Sequence, residues 1–174
     1  MPGRVLQISI SEGGVPKLPV KSTVVVGSLG IEGDKHRYSG HGGPRKALLL
    51  VASELVDALR AESWPVYYGA LGENLTTHGL DHRAWHSGQR FKIGAVTIEL
   101  TEPRAPCSQL NPFGAGIRER IYDAQVKALD STSMHWGESG FYASVLTPGT
   151  LTAGAAIELV DPVYRLQTAP LDGW

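Results

Sequence analysis

Gln89-Arg90-Phe91-Lys92-Ile93-Gly94-Ala95-Val96-Thr97-Ile98-Glu99-Leu100 alternates apolar and polar residues on both sides of Gly94-Ala95. Period-two alternation turns one side of each run to a core and the other to water, and the short glycine-containing break between them reads as a β-hairpin turn. The hairpin's second strand runs straight into Thr101-Glu102-Pro103-Arg104-Ala105-Pro106-Cys107, which holds the sole cysteine of the chain. Pro103 and Pro106 fix their own φ and bias Glu102 and Ala105 towards extended geometry, so the thiol is presented on a stiff segment. Arg104 stands three residues before it, and a guanidinium near a thiol favours the thiolate, which is both nucleophile and soft metal ligand. A lone cysteine reads equally well as a small buried hydrophobe, and these residues alone leave both readings open.

Outward from the hairpin the pattern stays β-rich. Val5 to Ile10 alternates, Thr23-Val24-Val25-Val26 reads as a buried strand, and Ala47-Leu48-Leu49-Leu50-Val51 is a short apolar run of the same kind. On the far side, Ser139 to Leu146 and Ile157 to Val160 are the remaining strands, with Pro148-Gly149 a turn between them. The 21 glycines and 11 prolines of the 174 residues are spread along the chain, which favours short strands joined by turns over a helical bundle. Two helices are expected. One starts near Ser53, with Leu55, Val56 and Leu59 on one face; the other spans Ile117 to Asp130, with Ile117, Ile121, Ala124, Ala128 and Leu129 inward. The tail from about 162 is weakly patterned.

Three polar stretches are candidates for function. From Gly30 to Lys46 the chain is dense in glycine and charge, and contains His36, Arg37, His41, Gly42, Gly43, Arg45 and Lys46. Glycines let backbone amides approach a ligand and form an anion-binding concavity, so a loop that cradles a phosphate-like group is the favoured reading over a solvated surface loop. Glu73 and Asn74 follow Gly72 at the start of a short strand. They suit hydrogen bonding to a heterocycle, but capping of backbone groups in a tight corner is preferred. His78, His82 and His86 repeat every four residues; Gly79 and Ser87-Gly88 argue against one helix through them, so a solvated turn is preferred to a metal site.

The formal net charge of -1 argues against a nucleic-acid binder that depends on a basic face. One cysteine forms no internal disulfide, which fits a reducing compartment. The N-terminus lacks the apolar core of a signal peptide, and no apolar run approaches the ~20 residues that span a bilayer. The expectation is a single cytoplasmic domain with no membrane partner.

Several of these stretches together carry a resemblance. Gly30 to Asp34, His41-Gly42-Gly43-Pro44 with Lys46, Gly72-Glu73-Asn74-Leu75, Thr101 to Cys107, and Gly140-Phe141-Tyr142 with Val145 and Pro148-Gly149 occur in an order that resembles the MOSC domains, small stand-alone bacterial members above all. The resemblance implies a mainly β, barrel-like domain with a few helices. It implies that Cys107 is the functional cysteine, associated in the family with binding molybdenum in a pterin cofactor or with carrying sulfur. Arg104, Glu73 and Asn74 would line that site, and His41, Gly42, Gly43 and Lys46 fall in matching segments. Two departures stand out: Ser144 takes the place of a frequent arginine, and Ala155 that of a frequent acid.

Three activities are implied by the resemblance and the residues. The first is reduction of N-hydroxylated small molecules at a molybdenum cofactor (molybdopterin) with Cys107 as a metal ligand; the chain has neither a cysteine cluster nor a flavin motif, so a separate electron donor is implied. The second is sulfur carriage as a Cys107 persulfide, with a separate cysteine desulfurase as donor, since the chain is too short to include one. The third, less favoured, is a cofactor-free hydrolase or transferase with Cys107 activated by His41 or His36.

Overall fold

The computed structural model describes residues 2–36 and 42–161. His41, Arg37 and the weakly patterned tail lie outside them. In chain order the elements are β1 (Gly3–Ile10), β2 (Leu18–Pro19), β3 (Val24–Gly27), β4 (Gly30–Ile31), β5 (Leu48–Ala52), α1 (Ser53–Ala61), β6 (Leu75–His78), β7 (Arg90–Ile93), β8 (Val96–Pro103), α2 (Ile117–Ile121), α3 (Ala124–Lys127), β9 (Phe141–Thr147), β10 (Gly149–Leu151) and β11 (Ala156–Asp161). Short 3-10 turns cover 44–46, 82–84 and 108–113.

Seven strands close into a barrel in the order β1-β11-β7-β8-β9-β5-β6, with β6 back on β1. Closure removes the open sheet edges on which unwanted pairing starts. Every pairing is antiparallel except β5 with β6, which needs a crossover, and α1 supplies part of it. The hairpin of β7 and β8 pairs Ile93 with Val96 across Gly94-Ala95, as the alternation predicts. A smaller sheet of β10, β3 and β4 lies beside the barrel.

The barrel interior is filled by Val5, Ile8, Leu48, Leu50, Ile98, Phe141 and their neighbours. A second apolar layer holds α1 and α2 against the outside, through Leu55, Val56, Leu59, Ile117 and Ile121. β5 belongs to both: Leu48, Leu50 and Ala52 face the interior, Leu49 and Val51 face α1. That is why its sequence is an unbroken apolar run rather than an alternating one.

The helix expected over 117–130 is two helices. Tyr122 and Asp123 are extended, with φ -158 and -136, and Asp123 opens α3 by accepting the Val126 N–H. A side chain that caps a new helix competes with continuing the old one.

Candidate functional site

The Cys107 loop is aimed by an irregularity in β8. The register with β9 shifts between Leu100 and Glu102, and Thr101 turns its hydroxyl to the Arg45 carbonyl at 2.7 Å. Such a bulge bends a strand and re-aims the residues after it. Beyond it Pro103 still pairs with Phe141, and the Arg104 N–H bonds the Gly140 carbonyl. Gly140 has φ 87, and a Cβ there would run into the Leu50 carbonyl oxygen, so no other residue lets β9 and β5 meet at this point.

Arg104 is 5% exposed, and its guanidinium is tied into the wall: Nε donates to the Ser139 carbonyl at 2.9 Å and Nη2 to the Leu71 carbonyl at 2.8 Å. Burial lowers its pKa from the usual value, while Tyr142, Glu73 and Cys107 act the other way. Its side-chain hydrogen bonds go to carbonyls rather than to the thiol, so the arginine braces the loop, and among the described residues Nη1 makes no hydrogen bond. Cys107 itself is partly exposed, which sets aside the reading of it as a buried hydrophobe.

Asn74 is the corner the sequence suggested. Its Oδ1 accepts the Leu49 N–H at 3.0 Å, and its Nδ2 donates to the Ser9 carbonyl at 3.2 Å and to Asp34 at 2.8 Å. Asp34 in turn holds Lys17 by an ion pair at 2.6 Å, with side chains only 7% and 3% exposed. Glu73 points away from this side. It is wholly buried and accepts the Gly69 N–H at 2.6 Å and the Thr76 hydroxyl at 3.1 Å, while its Oε2 has no partner. Burial pushes its carboxyl above the ordinary range, against the Gly69 and Thr76 hydrogen bonds and the Arg104 charge.

These parts meet around one cavity of about 90 Å³. Of the residues singled out in the sequence, Cys107, Arg104, Asn74, Gly42 and Lys46 line it. Glu73 and Gly43 do not; Glu73 shapes the corner behind it. Lys17, His36, Gln109 and Tyr142 line it too, and the sequence reading did not place Lys17, Gln109 or Tyr142 there. The one signal for Tyr142 is its position in the Gly140-Phe141-Tyr142 stretch. Lys46 Nζ sits 5.1 Å from the centre of the Tyr142 ring, a cation–π distance. Gly72, with φ 89, keeps the mouth open: a Cβ there would fall 2.6 Å from Val15.

His78, His82 and His86 go to separate partners. His78 Nδ1 meets Ser53 and Glu54, His82 stands against Trp85, and His86 against Trp136. Burial lowers the pKa of His82, with Arg83 adding to the effect. Among the described residues no helix is long and apolar enough to cross a membrane.

Known proteins share both the sequence pattern and the barrel. Protein YiiM of Escherichia coli is 30% identical over 171 residues, covering 92% of this chain and 70% of its own length. The crystal structure of YiiM from Geobacillus stearothermophilus matches with a TM-score of 0.67 at 27% identity, over 92% of this chain and 76% of that one. A protein of Gibberella moniliformis named as a reductase is 33% identical over 146 residues, but this chain spans only 24% of its length. The MOSC domain model matches residues 37–158, and the chain belongs to the MOSC domain family.

Proposed function

We propose that the protein binds a pterin-based molybdenum cofactor at the Cys107 cavity and serves as a reductase of N-hydroxylated small molecules. What carries the reading is that Cys107 shares its cavity with the cationic side chains of Lys17, Lys46 and Arg104. A thiolate is a soft ligand suited to a dithiolene-bound metal, and guanidinium and ammonium groups suit the phosphate of such a cofactor.

The residues fit the group. Lys17 is already neutralised by Asp34, so among the described cationic side chains of the cavity Lys46 and Arg104 are the ones left for an anion. A cavity of about 90 Å³ is well below the ~300–1,000 Å³ that encloses a drug-sized ligand. It therefore seats one end of the cofactor and leaves the rest towards solvent. Leu49, Leu71 and Val15 give that end apolar walls. When bound, the cofactor supplies two-electron oxygen-atom chemistry, and the protein supplies orientation and electrostatics. Electrons come from a separate donor; the fungal relative called a reductase supports the class of reaction and not the substrate.

The test is molybdenum and pterin content of protein made in a cofactor-competent host, wild type against Cys107→Ser. The expected result is metal and pterin in the wild type and loss of most of the metal in the variant. Equal content in both removes Cys107 as a ligand.

The partial exposure of Cys107 favours one other reading, sulfur carriage. An exposed thiol can meet a cysteine desulfurase and hold its sulfur as a persulfide. Mass spectrometry after incubation with a desulfurase and cysteine decides it: an added sulfur on Cys107 of metal-free protein supports carriage, and an unmodified mass excludes it.

A further inference from the structure

Among the described residues, Tyr142 is the one phenol that lines the Cys107 cavity. It lies on β9 opposite Glu102, at the register shift that aims the Cys107 loop. Lys46 covers a face of its ring, and among the described residues its hydroxyl makes no hydrogen bond. The other polar groups of the wall are largely committed. Asn74 bonds at both ends, Lys17 is held by Asp34, two of three Arg104 nitrogens go to carbonyls, and Gln109 Oε1 takes the Val15 N–H at 3.3 Å. A cavity-lining residue whose hydroxyl has no partner among the described residues is suited to bond a ligand there.

We infer that the Tyr142 hydroxyl is the proton donor to the departing oxygen of an N-hydroxylated substrate bound beside Cys107. The inference rests on the reductase reading. In that reaction R–NHOH takes two electrons and two protons and gives R–NH2 and H2O. The N–O bond breaks, the two electrons come from the separate donor, Tyr142 gives one proton to the oxygen, and solvent gives the other to nitrogen. Solvent then reprotonates the phenolate through the open side of the cavity. Hydroxide is a poor leaving group, and a placed general acid speeds such a step by about 10² to 10⁴-fold.

A phenol holds its proton at neutral pH without help, and burial raises the pKa of Tyr142 further, against the Arg104 charge. Lys46 over the ring and Arg104 are the cations placed to stabilise the anion left after transfer.

Tyr142→Phe keeps the ring, its packing and the Lys46 contact, and removes the oxygen alone. Three readouts test it. Molybdenum and pterin content should match wild type. Turnover of a hydroxylamine-bearing base should fall about 10² to 10⁴-fold, while turnover of its O-acylated analogue, whose carboxylate leaves without a proton, should fall less than tenfold. Equal losses on both substrates, or wild-type turnover of the hydroxylamine by the variant, overturns the inference. A wild type that holds molybdenum and reduces no N-hydroxylated compound overturns the reductase reading itself and this role with it.

Discussion

At the scale of single residues the site rests on two buried ionisable groups, of which only Arg104 lines the cavity. Arg104 is a cation made part of the wall, and Glu73 is a carboxyl made part of the corner behind it. Replacing Arg104 by Lys keeps a charge but not the fork that reaches both Ser139 and Leu71 carbonyls. A buried carbonyl left without its donor costs ~1–3 kcal/mol, and Arg104→Lys is expected to lose about that much in urea unfolding; a variant as stable as wild type would show the fork to be dispensable. Glu73 has a pH signature. Its folded pKa is raised by burial from the ordinary 4.5. Below 4.5 the group is protonated in both states. Above that value the unfolded chain releases a proton that the folded chain retains, so the folded state binds more protons and stability falls as pH rises towards the folded pKa. Glu73→Gln removes this titration and keeps the shape. The stability difference between the two proteins is expected to shift towards the variant as pH rises above 4.5, and parallel profiles would mean that burial does not hold the proton.

At the scale of elements the sequence was most legible where one face meets one core. Alternation located β1 and the β7–β8 hairpin, and the Leu55, Val56 and Leu59 stripe located α1. It failed where local hydrogen bonding overrode periodicity. The residues from 117 to 130 carry a continuous helical stripe, yet Asp123 commits its carboxylate to the Val126 N–H and the Ser133 hydroxyl, and the chain starts again there. The far end of α3 is closed by a Schellman motif: the Leu129 N–H bonds the Val126 carbonyl and the Asp130 N–H the Gln125 carbonyl, both at 2.9 Å. The position this motif reserves for a left-handed residue is held by Leu129 at φ 60, with its side chain 65% exposed. A leucine gains little from burial there and bears the left-handed cost of ~1–2 kcal/mol, which glycine avoids at the expense of unfolded-state entropy. Leu129→Gly is expected to raise stability by about 0.5–1 kcal/mol, read as a higher urea midpoint at unchanged slope. A lower midpoint would show that the side chain is held by something other than the motif.

At the scale of the whole molecule, what the residues hid was everything that depends on distant parts of the chain. Cys107, Arg104 and Asn74 were visible because each sits in a short stretch with its own chemistry. Lys17 and Gln109 carried no such mark and Tyr142 only its place in the Gly140-Phe141-Tyr142 stretch, and they reach the cavity because the barrel brings β1, β5, β8 and β9 around it. The seam that completes the barrel was equally silent, since it joins the first strand to the last: Gly3 pairs with Ile157 and Arg4 with Ala156. The same Ile157 pairs with Ile93 on β7, so one residue bridges both sides of the seam, and it is fully buried. Past the seam, β1 runs on to Ser9, whose carbonyl receives Asn74 at the cavity. Opening the seam should therefore loosen the fold before it alters the folded site. Ile157→Ala removes buried methyl groups from the interior and is expected to cost about 2–5 kcal/mol. In the protein that remains folded, alkylation of Cys107 by iodoacetamide should proceed at the wild-type rate, because no contact of the cavity wall has been removed. In mild urea it should accelerate sooner than wild type, as the first and last strands part and β1 ceases to hold the Asn74 corner. A stability loss under about 1 kcal/mol would place the seam's strength elsewhere than in burial of this side chain. An altered alkylation rate without urea would mean that the seam acts on the folded site directly.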